Sequence, residues 1–121
     1  MNGRHILVID DDEGIRQFVE MALSDQGHEV KTAADGADAL EILRRWRPHL
    51  ILLDMRMPVL DGQGFRRAYR KTPRPHAPIV VLTAARDAAL SASEIEADGF
   101  LAKPFDLSDL LGLVGRFTNQ E

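Results

Sequence analysis

The sequence contains no cysteine, and aromatic residues make up only 6% of its 121 residues. The absence of cysteine excludes a disulfide framework, a zinc site with thiolate ligands and a cysteine nucleophile. No apolar run is longer than four residues, as in residues 50–53, whereas a membrane-spanning helix needs about 20 apolar residues. The chain also does not open with the basic and then apolar segments of a secretion signal. These absences leave a soluble cytoplasmic protein as the simplest interpretation.

The composition is that of one packed domain in which charge is unevenly distributed. Apolar residues make up 45% of the chain, which is ordinary for a folded domain and too high for a disordered one. The formal net charge is −4, yet residues 1–40 carry nine acids and three bases, whereas residues 41–80 carry three acids and nine bases. Domains most often contain about 100–150 residues. We therefore expect a single domain over residues 1–121 with no output domain.

Short apolar runs alternate along the chain with longer segments of helical periodicity. The predicted strands cover residues 6–9, 28–33, 49–53, 79–82 and 100–102. The predicted helices cover residues 14–26, 37–46, 63–71 and 87–96, and a last helix is capped by Asp106 or Ser108. Strands that alternate with helices in this way predict an α/β fold, in which a parallel sheet carries helices on both faces.

A polar residue directly follows four of the predicted strands: Asp10, Asp54, Thr83 and Lys103. In parallel α/β sheets ligands bind at the carboxyl ends of the strands, so these side chains are expected to converge. Asp10 and Asp11 supply the hard oxygen ligands that suit Mg²⁺. The alternative is a solvated acidic turn that stabilises the start of the next helix.

Beside such a metal site, Asp54 is a candidate nucleophile toward a phosphoryl group. Lys103 is then a candidate phosphate ligand, and the Thr83 hydroxyl a candidate hydrogen-bond donor to a phosphoryl oxygen. Each residue also has an ordinary structural interpretation: Asp54 as a helix cap, Lys103 as a surface lysine and Thr83 as a strand threonine. The ordered set at successive strand ends favours the phosphoryl site.

Taken together, five motifs give the chain a family resemblance. They are residues 6–11 (ILVIDD), 52–58 (LLDMRMP), 61–62 (DG), 80–84 (VVLTA) and 99–105 (GFLAKPF). In these motifs the chain resembles the response-regulator receiver domain of bacterial two-component signalling over essentially its whole length. The resemblance implies a flavodoxin-like three-layer (βα)5 fold with a five-stranded parallel sheet of order 2-1-3-4-5.

The resemblance also implies roles for individual residues in the site. Asp54 matches the phospho-accepting aspartate, and Asp10 and Asp11 match the acidic pair that binds Mg²⁺ together with it. The backbone carbonyl of Arg56 matches the remaining protein ligand of the metal. The Arg56 side chain either lies near the phosphoryl group or faces solvent.

Three further matches concern the response to phosphorylation. Thr83 matches the switch hydroxyl, Lys103 the phosphate-binding lysine, and Phe100 the aromatic residue that turns inward on activation. The implied partners are a histidine kinase or phosphotransfer protein and an unidentified downstream protein, without direct contact with nucleic acid or a membrane. The implied protein is a switch, not an enzyme, with at most intrinsic self-phosphorylation and autodephosphorylation. The interval from Thr83 to Lys103 is shorter than is usual in the family, and we expect residues 86–98 to be mobile or partly irregular.

Three other interpretations remain open. The spacing of Asp10 and Asp12 after a strand also resembles haloacid-dehalogenase phosphatases, in which the first aspartate is the nucleophile. A pseudo-receiver would act as a scaffold without phosphorylation. Direct DNA binding would use a set of basic residues, although solvated helix faces are the favoured explanation for them. This set comprises Arg44, Arg45, Arg47, Arg66, Arg67, Arg70, Lys71 and Arg74.

Overall fold

A parallel sheet lies at the centre of the fold, and its five strands pair in the order β2-β1-β3-β4-β5. The strands are β1 (His5–Ile9), β2 (Glu29–Ala33), β3 (Leu50–Asp54), β4 (Ile79–Ala84) and β5 (Gly99–Lys103). This computed structural model describes residues 3–55, 60–84 and 96–118. The predicted α/β class and the flavodoxin-like strand order are confirmed.

Four helices lie within the described residues: α1 (Glu13–Asp25), α2 (Gly36–Leu43), α3 (Gly62–Arg70) and α4 (Leu107–Thr118). The helix predicted over residues 87–96 falls, except for Glu96, outside the described residues. The same holds for most of the segment 86–98 that was expected to be irregular. No helix of the described ranges is long and apolar enough to cross a membrane.

The sheet separates two apolar cores, which explains the unbroken apolar runs of its inner strands, residues 6–9, 50–53 and 79–82. On β3, Leu50 and Leu52 belong to the core that includes residues of α1 and α4. Ile51 and Leu53 belong to the core that includes residues of α2 and α3. Successive strand side chains point to opposite faces, so a strand covered on both sides must be apolar throughout. The edge position of β2, with its more polar sequence, is also confirmed.

An aspartate caps each of the four helices where the chain turns away from a strand or loop. Its carboxylate accepts a hydrogen bond from the backbone N–H three residues later. The pairs are Asp12 with Ile15 (3.2 Å), Asp35 with Asp38 (2.8 Å), Asp61 with Gly64 (2.9 Å) and Asp106 with Asp109 (2.8 Å). Such a cap contributes about 1 kcal/mol to stability. Asp106 is therefore the cap of the last helix.

The helix predicted over residues 37–46 ends earlier, at Leu43. Trp46 leaves the helical path to stack on His5, with the ring centroids 5.0 Å apart, and its indole N–H donates to Glu29. In addition, Pro48 disfavours a helical conformation at Arg47. Helical periodicity in the sequence does not indicate this tertiary contact between Trp46 and His5, the first residue of β1.

Candidate functional site

The predicted site residues lie at the carboxyl edge of the sheet. Asp10 follows β1, Asp54 ends β3, and Lys103 ends β5. Thr83 lies one residue before the end of β4, where it pairs in register with Ala102. The βα connections place the starts of α1 and α3 at the same edge, so the site is built from strand ends and the first turns of helices.

Three carboxylates come close together at this edge. Asp10, Asp11 and Asp54 each offer one carboxylate oxygen, and these oxygens all lie within 4.8 Å of one another. Asp10 is 0% exposed and Asp54 is 5% exposed, whereas Asp11 faces solvent. Buried like charges at this distance repel strongly unless a cation compensates them. The site therefore calls for positive charge.

Lys103 supplies part of that charge. Its Nζ lies 2.9 Å from Oδ2 of Asp10 and 3.6 Å from Oδ1 of Asp54, and its side chain is 25% exposed. Burial by itself lowers the pKa of Lys103, but the hydrogen bonds and charges of Asp10 and Asp54 together outweigh burial and raise the pKa. Lys103 is thus held protonated between the two buried carboxylates.

The carboxylates also fit a divalent cation such as Mg²⁺. Oδ2 of Asp10 is fully buried, and within the described ranges the Lys103 ammonium at 2.9 Å is its close polar neighbour. A buried carboxylate oxygen with a single cationic neighbour, together with two further carboxylates, belongs to the hard oxygen set that Mg²⁺ prefers. Arg56, whose carbonyl the resemblance assigns to the metal, lies outside the described residues, and its role stays a prediction.

The loop that carries Asp10 is fixed by contacts to its backbone and to its side chain. The Asp10 N–H donates to Ala33 (3.1 Å), and Oδ1 of Asp10 accepts from the Asp12 N–H (2.9 Å). The guanidinium of Arg16 donates to the Asp10 carbonyl oxygen at 2.7 Å. Sequence reasoning missed Arg16, because a contact six residues back along the chain follows no helical or strand period.

α3 begins against the residue that follows Asp54. The Gly62 N–H donates to the Met55 carbonyl at 3.2 Å, and a Cβ at Gly62 would lie 2.5 Å from the Met55 sulfur. A side chain at position 62 would require the Met55 side chain to move and would make a tight 3.1 Å contact with the Met55 Cα. The Asp61-Gly62 motif thus caps α3 and packs its start beside the end of β3.

Thr83 and Phe100 lie on the same face of the sheet. Register pairs Val81 with Phe100 and Thr83 with Ala102, and paired residues of parallel strands point to the same side. Thr83 is buried, whereas Phe100 is 45% exposed. An apolar ring therefore stands partly in solvent near the buried hydroxyl, one strand away.

Beside the carboxylates lies an apolar groove of about 570 Å³, between α1 and the residues that follow β5. Its walls include Ile15 and Phe18 of α1 and Phe105, with Lys103 at the end nearest the site. The Phe18 and Phe105 rings are 6.3 Å apart. The candidate site therefore opens onto an apolar surface.

Two of the other interpretations can be compared with the geometry. Asp12, the second acid of a phosphatase motif, uses its carboxylate to cap α1. The basic residues lie around the C-terminal ends of α2 and α3, away from the site, and Arg66 and Arg70 pair with Glu96 at 3.2 and 3.7 Å. The Asp12 carboxylate is therefore engaged as a helix cap, and the basic residues lie away from the carboxylate cluster.

Comparison with known proteins identifies the family. A family model described as "Response regulator receiver domain" matches residues 6–115. The chain is 42% identical over 112 residues to a probable transcriptional regulator, ycf27, of Porphyridium aerugineum, covering 91% of this chain and 46% of that protein. It is 41% identical over 112 residues to the response regulator MprA of Mycobacterium leprae, covering 90% of this chain and 48% of that protein. The chain thus spans about half the length of the curated relatives it matches.

Solved structures agree with this match. The chemotaxis response regulator CheY4 of Vibrio cholerae superposes with a TM-score of 0.86 at 36% identity, over 95% of this chain and 98% of that one. Receiver domains generally bind Mg²⁺ through acidic residues and interact with histidine kinases. The chain belongs to the response regulator receiver domain family, whose members are two-component signalling switches and not classical enzymes.

Proposed function

We propose that Asp54 accepts a phosphoryl group from the phosphohistidine of a histidine kinase or phosphotransfer protein, and that this switches a protein-binding face. The observation that carries the proposal is the position of Asp54. Its buried carboxylate lies within 4.8 Å of oxygens of Asp10 and Asp11, and 3.6 Å from Lys103 Nζ. A nucleophile, a metal-ligand set and a fixed cation thus share one small volume.

In the transfer, a carboxylate oxygen of Asp54 bonds to phosphorus as the bond from phosphorus to the histidine nitrogen breaks. The product is an acyl phosphate, which water later hydrolyses. Mg²⁺, when held by Asp10, Asp11, Asp54 and the Arg56 carbonyl, neutralises charge on the phosphoryl oxygens. Lys103, already beside Asp54, contacts a further phosphoryl oxygen as a point charge.

The apolar groove supports a protein as the phosphoryl donor. Phe18 and Phe105 line it close to Lys103, and Phe18 together with Met21 leaves apolar surface in solvent on α1. Such a surface suits the side of a partner helix that carries the phosphohistidine, because exposed apolar patches mark protein interaction sites.

The exposed ring of Phe100 supports a switch that involves Thr83. When the Thr83 hydroxyl moves toward the new phosphoryl group, it leaves space on its face of the sheet, which Phe100 then fills. Burying the remaining half of a phenylalanine contributes roughly 1 kcal/mol, which shifts the equilibrium between two conformations about fivefold. Phe100 has no hydroxyl, so its burial acts through packing alone.

The downstream target is proposed to be a protein surface that recognises the altered face. Several relatives are named transcriptional regulators, which makes a DNA-binding domain one candidate partner of this receiver domain. The cytoplasmic location of the protein stays a prediction.

The proposal is tested by treatment with acetyl phosphate, or with beryllofluoride, in the presence of Mg²⁺. With acetyl phosphate we expect a mass gain of one phosphoryl group that is lost in Asp54→Ala and kept in Asp35→Asn, which alters an acid that caps α2. Beryllofluoride, which mimics a phosphoryl group but carries no phosphorus, should instead give NMR shifts that Asp54→Ala abolishes. No mass gain in the wild type would contradict the proposal.

Two of the other interpretations, the phosphatase and the scaffold, make different predictions. Steady turnover of a phosphate ester that is abolished by Asp10→Asn but survives Asp54→Asn would identify a phosphatase. Phosphorylation of Asp54 without any change in shape or binding would identify a scaffold.

A further inference from the structure

We infer that Arg16 is a positioning residue that holds the β1–α1 loop in the geometry needed for Mg²⁺ binding by Asp10 and Asp11. The inference rests on the proposed function. Its observation is the 2.7 Å hydrogen bond from the Arg16 guanidinium to the carbonyl oxygen of Asp10. Arg16 itself contributes no ligand atom to the site, so it acts through the backbone of the loop.

The Asp10 carbonyl needs such a donor because of its place in the chain. β1 ends at Ile9, and the last hydrogen bond of this region is made by the Asp10 N–H to Ala33. The carbonyl of Asp10 lies beyond the hydrogen-bonded part of the sheet, where the chain turns toward α1. A charged donor gives a hydrogen bond about twice as strong as a neutral one.

Arg16 closes the loop at two points. Its backbone N–H donates to the Asp12 carbonyl at 3.1 Å, which is the first hydrogen bond of α1, while its side chain reaches back to Asp10. The loop residues from 10 to 12 are therefore enclosed between the main chain and the side chain of one residue. This fixes the peptide plane between Asp10 and Asp11, and with it the direction of the Asp11 side chain.

Mg²⁺ is sensitive to that direction because it demands near-ideal octahedral geometry. Partners that orient metal ligands typically change metal affinity by roughly 10–100-fold when they are removed. The charge of Arg16 has the opposite effect on Mg²⁺ affinity, because a guanidinium close to the carboxylates repels Mg²⁺. Loss of Arg16 thus weakens Mg²⁺ binding if positioning dominates, and strengthens it if charge dominates.

The test measures the Mg²⁺ dissociation constant of the unphosphorylated protein by calorimetry or NMR titration. We expect Arg16→Met to weaken Mg²⁺ binding about tenfold or more, and Arg16→Lys, which keeps a cationic donor, to recover part of the loss. Gln17→Met, which removes a side-chain hydrogen bond to Glu13 on the same helix, and Arg67→Met, which removes an exposed positive charge on α3, are the matched controls. Both controls should bind Mg²⁺ like the wild type.

Phosphorylation by acetyl phosphate provides a second readout. In Arg16→Met the Mg²⁺ concentration for half-maximal labelling should rise in step with the dissociation constant, whereas the rate at saturating Mg²⁺ should stay close to that of the wild type. Unchanged or tighter Mg²⁺ binding in folded Arg16→Met overturns the inference and leaves the proposed function intact. A wild-type protein that neither binds Mg²⁺ nor becomes labelled overturns the proposed function instead. If Arg16→Met does not fold, Arg16→Lys alone decides: binding weaker than that of the wild type supports positioning, and equal binding refutes it.

Discussion

Lys103 is expected to be essential for the stability of the metal-free protein, because it is the cation between two buried carboxylates. Its Nζ lies 2.9 Å from Asp10 and 3.6 Å from Asp54. The substitution Lys103→Met keeps an unbranched side chain of similar length but removes the charge. Asp10 and Asp54 would then lose the ammonium group that both of them contact.

The size of the effect follows from the two distances. At an effective dielectric constant of about 20, the attractions of Lys103 to Asp10 and to Asp54 are about 6 and about 5 kcal/mol before desolvation is subtracted. Desolvation cancels much of this, and removing one partner of a buried ion pair costs about 3–5 kcal/mol in measured cases. Because a quarter of the Lys103 side chain is exposed, we expect a loss of about 2–4 kcal/mol in the free energy of unfolding.

The assay is urea unfolding near neutral pH in the presence of EDTA, arranged as a double-mutant cycle with Asp54→Asn. The attractions of Lys103 to Asp10 and to Asp54 are similar in size. The loss of unfolding free energy caused by Lys103→Met should therefore be smaller by roughly a third to a half when Asp54 is already neutral. Added Mg²⁺ should narrow the difference between Lys103→Met and the wild type, because the cation replaces the lost charge. Lys71→Met, at an exposed position after α3, is the control and should stay within about 0.5 kcal/mol of the wild type.

Two results would refute this reasoning. Unfolding of Lys103→Met at the same urea concentration as the wild type in EDTA would mean that the carboxylates need no compensation. An identical loss of unfolding free energy on Lys103→Met in the Asp54→Asn background would mean that Lys103 stabilises the fold through Asp10 alone.

Three further predictions concern caps, the switch and pH. Asp61→Ala should lower the free energy of unfolding by about 1 kcal/mol, since the N–H of Gly64 loses its acceptor; an unchanged urea midpoint would contradict it. Phe100→Ala should change stability by no more than about 1 kcal/mol because the ring is half exposed, yet it should reduce the beryllofluoride-induced NMR shifts; full shifts would exclude a switch role. The pKa of His28 and of His49 is lowered, mainly by burial and to a lesser extent by neighbouring positive charge. The stabilisation that the two neutral imidazoles give the fold is therefore complete above about pH 6.5 and declines as the pH falls below it. The stability difference between the wild type and a His28→Asn/His49→Asn variant should therefore shrink from pH 7.5 to pH 5.5, and a constant difference would contradict the assignment.

Much of the fold follows from patterns that the sequence displays directly. A strand covered by helices on both faces must be apolar at every position, so residues 50–53 could be recognised as a central strand. Each such run also stops at a polar residue, because the chain there leaves the core for the edge of the sheet. The placement of Asp10, Asp54, Thr83 and Lys103 at one edge was predictable for this reason, whereas their distances from one another were not.

What the sequence did not predict depends on contacts between segments distant in the chain. α2 ends early because Trp46 stacks on His5, 41 positions away in the sequence. Arg16 was missed because its bond to Asp10 depends on how sharply the chain turns after β1. Neither contact leaves a periodic signal, and both are set by side-chain reach after the sheet has formed.

The structure also gives roles to four of the nine acids in the first third of the sequence, Asp10, Asp11, Asp12 and Asp35. In a parallel α/β fold, each helix that follows a strand begins at the carboxyl edge of the sheet, where the positive end of its dipole favours an aspartate cap. The consecutive acids at residues 10–12 have two different roles. Asp12 caps α1, while Asp10 and Asp11 belong to the carboxylate cluster. Caps and candidate metal ligands thus lie at the same edge because of the topology, and negative charge accumulates there. The compensating cation comes from β5, far along the chain, since Lys103 ends the strand next to β4 and reaches across to Asp54 and Asp10.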